Sequence, residues 1–181
     1  MSAAAGPPGA ATTSTTTTPG NARPITILLA DDDADDRVLA CDALKESRLA
    51  NDMRCVENGE ELMDYLHRRG AFADPARSPR PGLILLDLNM PRKDGREALA
   101  EIKSDPALRQ IPVVVLTTSK AEEDIYRTYD LGVNSFITKP VTFDGLVNVM
   151  RTLGTYWFEI VELPAAAGPP AGEKPQAPPR V

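Results

Sequence analysis

What this chain lacks narrows its chemistry before any motif is read. It has one histidine, His67, so chemistry built on several histidines is excluded. His67 stands in the charged run Leu66-His67-Arg68-Arg69 and reads as a solvated helix residue. There are two cysteines, Cys41 and Cys55, which fit neither a disulfide framework nor a zinc site. They read as small core residues of a protein kept in reducing cytosol. Basic residues are outnumbered, 20 against 26 acidic ones, for a net charge of −6. That argues against nucleic acid as a partner, since non-specific binding needs a basic footprint. No apolar run approaches the roughly 20 residues of a membrane span. The N-terminus lacks the charged-then-apolar pattern of a secretory signal. A cytoplasmic location with no membrane partner is the expectation. There is also no internal repeat, no glycine-rich phosphate loop and no dinucleotide-binding fingerprint.

What is present suits one ordinary domain with tails: 181 residues, 42% of them hydrophobic. Residues 1–23 are Ala, Gly, Pro, Ser and Thr, with a threonine run at Thr15 to Thr18. They cannot bury enough apolar area to offset ordering entropy and are expected to be disordered. Residues 164–181, rich in Pro and Ala, are expected to form a second disordered tail. The domain is placed at 24–163.

The most informative stretch is Leu83-Ile84-Leu85-Leu86-Asp87-Leu88-Asn89-Met90-Pro91. Four apolar residues without a break, bounded by Pro-Gly and Met-Pro, read as a fully buried parallel strand ending on a carboxylate. Four further strands are expected: Ile25 to Ala30, Met53 to Val56, Ile111 to Thr117 and Asn134 to Thr138. Each is followed by a helical pattern. Asp33 is expected to cap the first helix, with Asp35 and Asp36 as solvated charges in its first turn and Val38, Leu39, Cys41, Ala43 and Leu44 as its apolar positions. The second helix is expected over Glu60 to Arg69, the third over Arg96 to Ser104, the fourth over Glu122 to Leu131 and the fifth from Thr142 or Phe143. Gly70 to Pro81 is a loop of about twelve residues, and loops of that length inside a compact domain are often functional. Strand–helix alternation, five times over, gives a parallel sheet with helices on both faces.

In such a sheet all the carboxyl ends of the strands emerge at one edge, where open α/β sheets bind ligands. The first strand ends in Asp31-Asp32, the third in Asp87, the fourth in Thr117-Thr118, the fifth in Lys139. Carboxylates brought together repel one another, and a divalent cation relieves that. Mg²⁺ takes oxygen ligands and keeps several waters. Asp31 or Asp32, Asp87 and the main-chain oxygen of Asn89 would suit it. Asp87 is then placed as a nucleophile toward phosphorus, with Lys139 and Thr117 offering an ammonium and a hydroxyl to phosphoryl oxygens. The Lys139-Pro140 bond is a candidate cis peptide that would re-aim the lysine.

With these residues in order, the chain resembles the receiver domain of two-component response regulators over about Ile25 to Leu163. The likeness rests on Asp31-Asp32, on Leu85-Leu86-Asp87-Leu88-Asn89-Met90-Pro91 followed by Asp94-Gly95, on Val115-Leu116-Thr117-Thr118-Ser119, and on Phe136-Ile137-Thr138-Lys139-Pro140. The resemblance implies a flavodoxin-like (CheY-like) five-stranded parallel sheet of order 2-1-3-4-5 flanked by five helices. It implies Asp87 as phosphoacceptor and Asp31, Asp32, Asp87 and Asn89 as the Mg²⁺ site. Thr117 and Lys139 would be the active-site hydroxyl and lysine, and Phe136 a switch aromatic that turns inward when Thr117 moves. The Gly70–Pro81 loop, Leu116-Thr117-Thr118-Ser119 and Tyr156-Trp157-Phe158-Glu159 are similar to the stand-alone receivers serving phytochrome-type histidine kinases. No helix-turn-helix or basic segment follows Leu163, so the expected output is protein contact. That includes a homodimer through the fourth helix, fifth strand and fifth helix. One helix face cannot bury Tyr156, Trp157 and Phe158 together, so this end serves either an interface or a cover over the core.

Two other readings use the same residues. A receiver-fold scaffold working without phosphate would not need the intact acidic pair and Lys139. A phosphatase of the haloacid-dehalogenase type needs a second acid two residues after the nucleophile, and that position is Asn89.

Overall fold

A strand that is apolar at every position can be satisfied only where helices cover both of its faces. The computed structural model, which describes residues 25–49, 51–118 and 121–160, has that arrangement at its centre. The elements run β1 (Thr26–Ala30), α1 (Ala34–Glu46), β2 (Asp52–Val56), α2 (Gly59–His67), β3 (Leu83–Leu86), α3 (Gly95–Ser104), β4 (Val113–Thr117), α4 (Glu122–Asp130), β5 (Ser135–Thr138) and α5 (Phe143–Gly154). All five strands are parallel, in the order β2-β1-β3-β4-β5. This is the expected doubly wound sheet. Both expected tails, Ser119 and Leu163 lie outside the described residues.

Alternation along each strand sorts the core into two layers. Leu28, Ala30, Ile84, Leu86, Val113 and Val115 face α2 and α3. Ile27, Leu29, Leu83, Leu85, Val114 and Leu116 face α1 and α5. β3 and β4 are buried at every position, whereas the edge strands β2 and β5 are only partly covered. Burying each leucine or isoleucine of β3 is worth about 2 kcal/mol, so the middle of the sheet is where its strand ends are held most firmly.

The helix termini follow the residue chemistry. Asp33, Asn58, Asp94 and Thr142 cap α1, α2, α3 and α5 with side-chain oxygens, and Asp94 and Glu97 form a capping box. α2 stops at His67, earlier than expected, because Arg68 takes the left-handed conformation as its C-cap.

Several expectations are corrected. α1 buries Ala40, Ala43 and Leu44, while Val38 and Leu39 are exposed. Close packing of α1 on α5 favours the alanines, and the larger side chains turn outward. Cys55 lies on edge strand β2 and is exposed, and Cys41 is half-buried 3.8 Å from it, so neither is a core residue. The Lys139–Pro140 bond is trans. The Gly70–Pro81 segment is not a bare loop, since Gly70–Phe72 is a turn of 3₁₀ helix and Phe72 packs on Tyr65. It leads into the amino end of β3, the edge opposite Asp87. At the chain's far end α5 continues into a π-helical stretch, Thr155–Ile160. Trp157 is buried in the α1/α5 layer and Tyr156 is half exposed, while the side chain of Phe158 lies outside the described set.

Candidate functional site

The sheet ladder does not stop at the strand ends. Asp31 N donates to Val56 O at 3.1 Å, Asp87 N to Ala30 O at 2.9 Å, and Lys139 N to Thr117 O at 2.8 Å. The backbone of each site residue is thus fixed by the strand beside it. Parity then decides where the side chains go. Asp31, Asp87 and Lys139 follow the parity of Leu29, Leu85 and Ile137, the α1/α5 layer, and they converge there. Thr117 follows Val113 and Val115 into the other layer, against which Phe136 also packs.

Asp31 and Asp87 are almost fully buried, at 2% and 5% exposure. Lys139 Nζ lies 2.7 Å from Asp31 Oδ2, 2.7 Å from Asp36 Oδ2 and 3.1 Å from Asp87 Oδ2. Carboxylate oxygens of Asp31, Asp32 and Asp87 all lie within 4.8 Å of one another, with Asp32 exposed. Burial pushes the Asp31 carboxyl above its ordinary pKa, and the hydrogen bond and charge of Lys139 only partly counter it. For Lys139 burial works downward, but its hydrogen bonds to Asp31 and Asp36 and the charges of Asp31 and Asp87 outweigh it, and the ammonium is held more firmly than usual.

The residues after Asp87 are positioned by their neighbours. Leu88 and Met90 anchor in the core, which leaves Asn89 exposed between them, its N–H 3.3 Å from Asp87 Oδ1. Gly95 begins α3 against this turn, where a Cβ would stand 2.1 Å from Asp87 O, so only glycine fits. Thr117 is fully buried at the end of β4, and Thr118 is exposed beside it. Thr118 helps line a groove of about 400 Å³ next to Lys139, walled by Leu39, Val141, Phe143 and Leu146.

The structure therefore gathers Asp31, Asp32, Asp87 and Lys139, places Asn89 and Thr117 at the same edge, and sets Phe136 half-buried on the layer that Thr117 shares. The residue that sequence reasoning missed is Asp36, which belongs to the lysine's shell rather than to a solvated helix turn. One signal could have found it. With Asp33 as N-cap, Asp36 is the third helical residue, and a side chain there reaches back toward the cap and the strand end.

Residues 27–151 match the family described as response regulator receiver domain. The chain belongs to this family. The response regulator Rcp1 of Synechocystis sp. is 44% identical over 143 residues, covering 79% of this chain and 95% of the relative. The structure of the phosphorylated cyanobacterial phytochrome response regulator RcpA superposes with a TM-score of 0.72 at 44% identity, over 78% of this chain and 99% of that one. The Mn²⁺-bound form of Rcp1 gives 0.70, also at 44% identity, over 78% and 100%. A receiver is the module of two-component signalling that accepts a phosphoryl group from a histidine kinase. The receiver fold is matched here by the five-stranded sheet and its order, and the acidic cluster at its edge is of the kind that holds a divalent metal. Among the described residues no helix is long and apolar enough to cross a membrane.

Proposed function

We propose that Asp87 is the phosphoacceptor of this receiver and that a phytochrome-type histidine kinase is its donor. A carboxylate oxygen of Asp87 attacks phosphorus on the kinase's phosphohistidine. The P–N bond breaks, its electron pair returns to the imidazole, and an aspartyl phosphate forms. Water later attacks phosphorus, the P–O bond to Asp87 breaks, and inorganic phosphate leaves. The chain is thus a signalling acceptor that promotes its own modification and its own hydrolysis rather than an enzyme with an external substrate.

The observation that carries this reading is the convergence of one ammonium on the buried carboxylates of Asp31 and Asp87. An oxygen-only donor set with three carboxylates in reach of one another fits a hard divalent cation, and we assign Mg²⁺ to Asp31, Asp32, Asp87 and the main-chain oxygen of Asn89. Bound there, the ion supplies positive charge to the transferring phosphoryl group. Lys139 follows the charge from Asp87 onto one phosphoryl oxygen, and the Thr117 hydroxyl takes another. Movement of Thr117 lets Phe136, on the same layer, turn further inward, a two-state change that alters the α4–β5–α5 face. That face carries exposed Tyr126 and Tyr129, and we assign it as the homodimer surface. The assigned site of action is the cytoplasm.

Intact mass after incubation with acetyl phosphate, with and without Mg²⁺, tests the acceptor. The expected result is one Mg²⁺-dependent phosphoryl adduct on the wild type and none on Asp87→Asn. Labelling that persists in Asp87→Asn would move the acceptor elsewhere. A folded wild type that takes no adduct would favour the phosphate-independent scaffold.

A further inference from the structure

We infer that Asp36 is a positioning residue for Lys139, the one carboxylate that keeps its hold on the ammonium while the other two change partners. The inference rests on the Asp87 reading above.

An ammonium has three N–H donors. Lys139 Nζ has three carboxylate neighbours, Asp31, Asp36 and Asp87, each within 3.1 Å. Two of these carboxylates are committed to the chemistry. Asp87 becomes an acyl phosphate, a mixed anhydride, when it is phosphorylated, and the negative charge then lies on the phosphoryl oxygens. Asp31 is assigned to the metal. Asp36 has neither duty. It is also the least buried of the three, with 37% of its side chain exposed against 2% and 7%. Removing it therefore leaves no buried hole.

Its own position is fixed independently of the lysine. Asp36 N donates to Asp33 Oδ1 in the N-cap of α1 at 3.2 Å. The next residue, Arg37, donates to Asp31 O at 2.7 Å and pairs with Glu57 at 2.9 Å, which ties the start of α1 to the β1–α1 turn. Asp36 is thus a carboxylate on a rigid mount, reaching across 103 residues of chain to the end of β5. Lys139 has four rotatable side-chain bonds, and one fixed partner reduces the search its ammonium must make for the arriving phosphoryl oxygen.

Charge and positioning predict opposite signs, which makes the inference testable. As a mere negative charge Asp36 would repel the incoming phosphoryl donor, and removing it would speed the reaction. As a holder of Lys139 it would slow the reaction when removed, and an asparagine, which keeps an oxygen acceptor without the charge, would rescue it. In the assay acetyl phosphate donates its phosphoryl group to Asp87 and acetate leaves. Rates by intact mass at saturating Mg²⁺, over a range of acetyl phosphate, are compared for wild type, Asp36→Ala and Asp36→Asn. The expected result is a limiting rate about tenfold lower for Asp36→Ala at an unchanged half-saturating concentration, the scale of one charge-assisted hydrogen bond. Asp36→Asn should return to within about twofold of wild type. A wild-type rate in Asp36→Ala, or faster reaction in both variants, overturns the inference while leaving Asp87 as acceptor. No adduct on the wild type removes the Asp87 reading and this inference together.

Discussion

Lys103 and Lys139 sit half-buried at opposite edges of the same sheet, and they differ in what surrounds them. Lys103, in the last turn of α3, faces the amino ends of β4 and β5. Its Nζ is 3.3 Å from Arg109 O, 3.1 Å from Ile111 O and 3.5 Å from Asn134 Oδ1. All three are neutral acceptors, and burial draws this lysine below its ordinary pKa. Lys139 suffers the same burial at the carboxyl edge but meets three carboxylates, and its pKa moves the other way. A lysine among carbonyls ties loops together. A lysine among carboxylates holds together charges that would otherwise repel, and it can hand them to something else. Two buried or half-buried hydroxyls at the amino edge show closed chemistry of the first kind. Ser78 Oγ, buried there, lies 2.5 Å from Phe72 O and 2.8 Å from Asp74 O, which compete for its one hydroxyl proton, and Tyr65 Oη donates to Pro79 O at 2.9 Å. The carboxyl edge balances one cation against several acids, and this imbalance is what a metal and a phosphoryl group would use.

The contrast breaks most visibly at Lys139. Lys139→Met leaves Asp31 and Asp87 buried without a counter-charge. In a divalent-free buffer near pH 7 it should lose about 3 kcal/mol of stability, the scale of an orphaned buried ion. Urea denaturation measures this, and adding Mg²⁺ should recover much of the loss. Unchanged stability in chelator would mean the carboxylates are not in competition for this lysine. Ser78→Ala probes the amino edge. It should cost about 1–2 kcal/mol, because the hydroxyl that serves the Phe72 and Asp74 carbonyls is lost inside a packed segment. It should leave the rate of phosphorylation by acetyl phosphate at the wild-type value, with or without Mg²⁺. A slowed reaction in Ser78→Ala would show that the long segment before β3 serves the site after all.

How much of this was legible in the chain depends on range. The parallel sheet was readable because an apolar strand run followed by a helical pattern is a local signal that repeats five times, and its order followed from the receiver resemblance. Asp31, Asp87 and Lys139 were readable for the same reason, since each ends a strand and the topology brings strand ends together. What escaped was tertiary. Val38 and Leu39 have the composition of core residues, but the phase of α1 is set by α5 packing on its alanines, which periodicity within one helix does not reveal. Cys55 is alternately placed like a core residue, yet β2 is an edge strand with little above it. Asp36 looked like first-turn charge because its partner is on the last strand. The long segment before β3 looked functional by length, whereas its proline-rich turns are closed by Tyr65 and Ser78 at the edge away from the acids.

The smallest effect, and the cleanest test of the comparison, is at Lys103. In the unfolded chain this lysine titrates near its ordinary 10.5, and in the fold burial makes it release its proton at lower pH. Between the two values the unfolded chain binds more protons than the folded one. Stability due to this residue therefore rises with pH, is complete above about 10.5, and is lost as pH falls through the folded value. Wild type measured against Lys103→Met should gain stability as pH rises toward about 10.5. The same subtraction for Lys139→Met should show no such rise, and it should turn downward as pH nears about 10.5, because the unfolded lysine then sheds its proton while the folded ammonium keeps it. The comparison thus reduces to one difference of slopes, measured by denaturation at three or four pH values. A flat line for Lys103 would mean that its ammonium is solvated, and that the two edges differ only in how many acids surround the lysine and not in how deeply it is held.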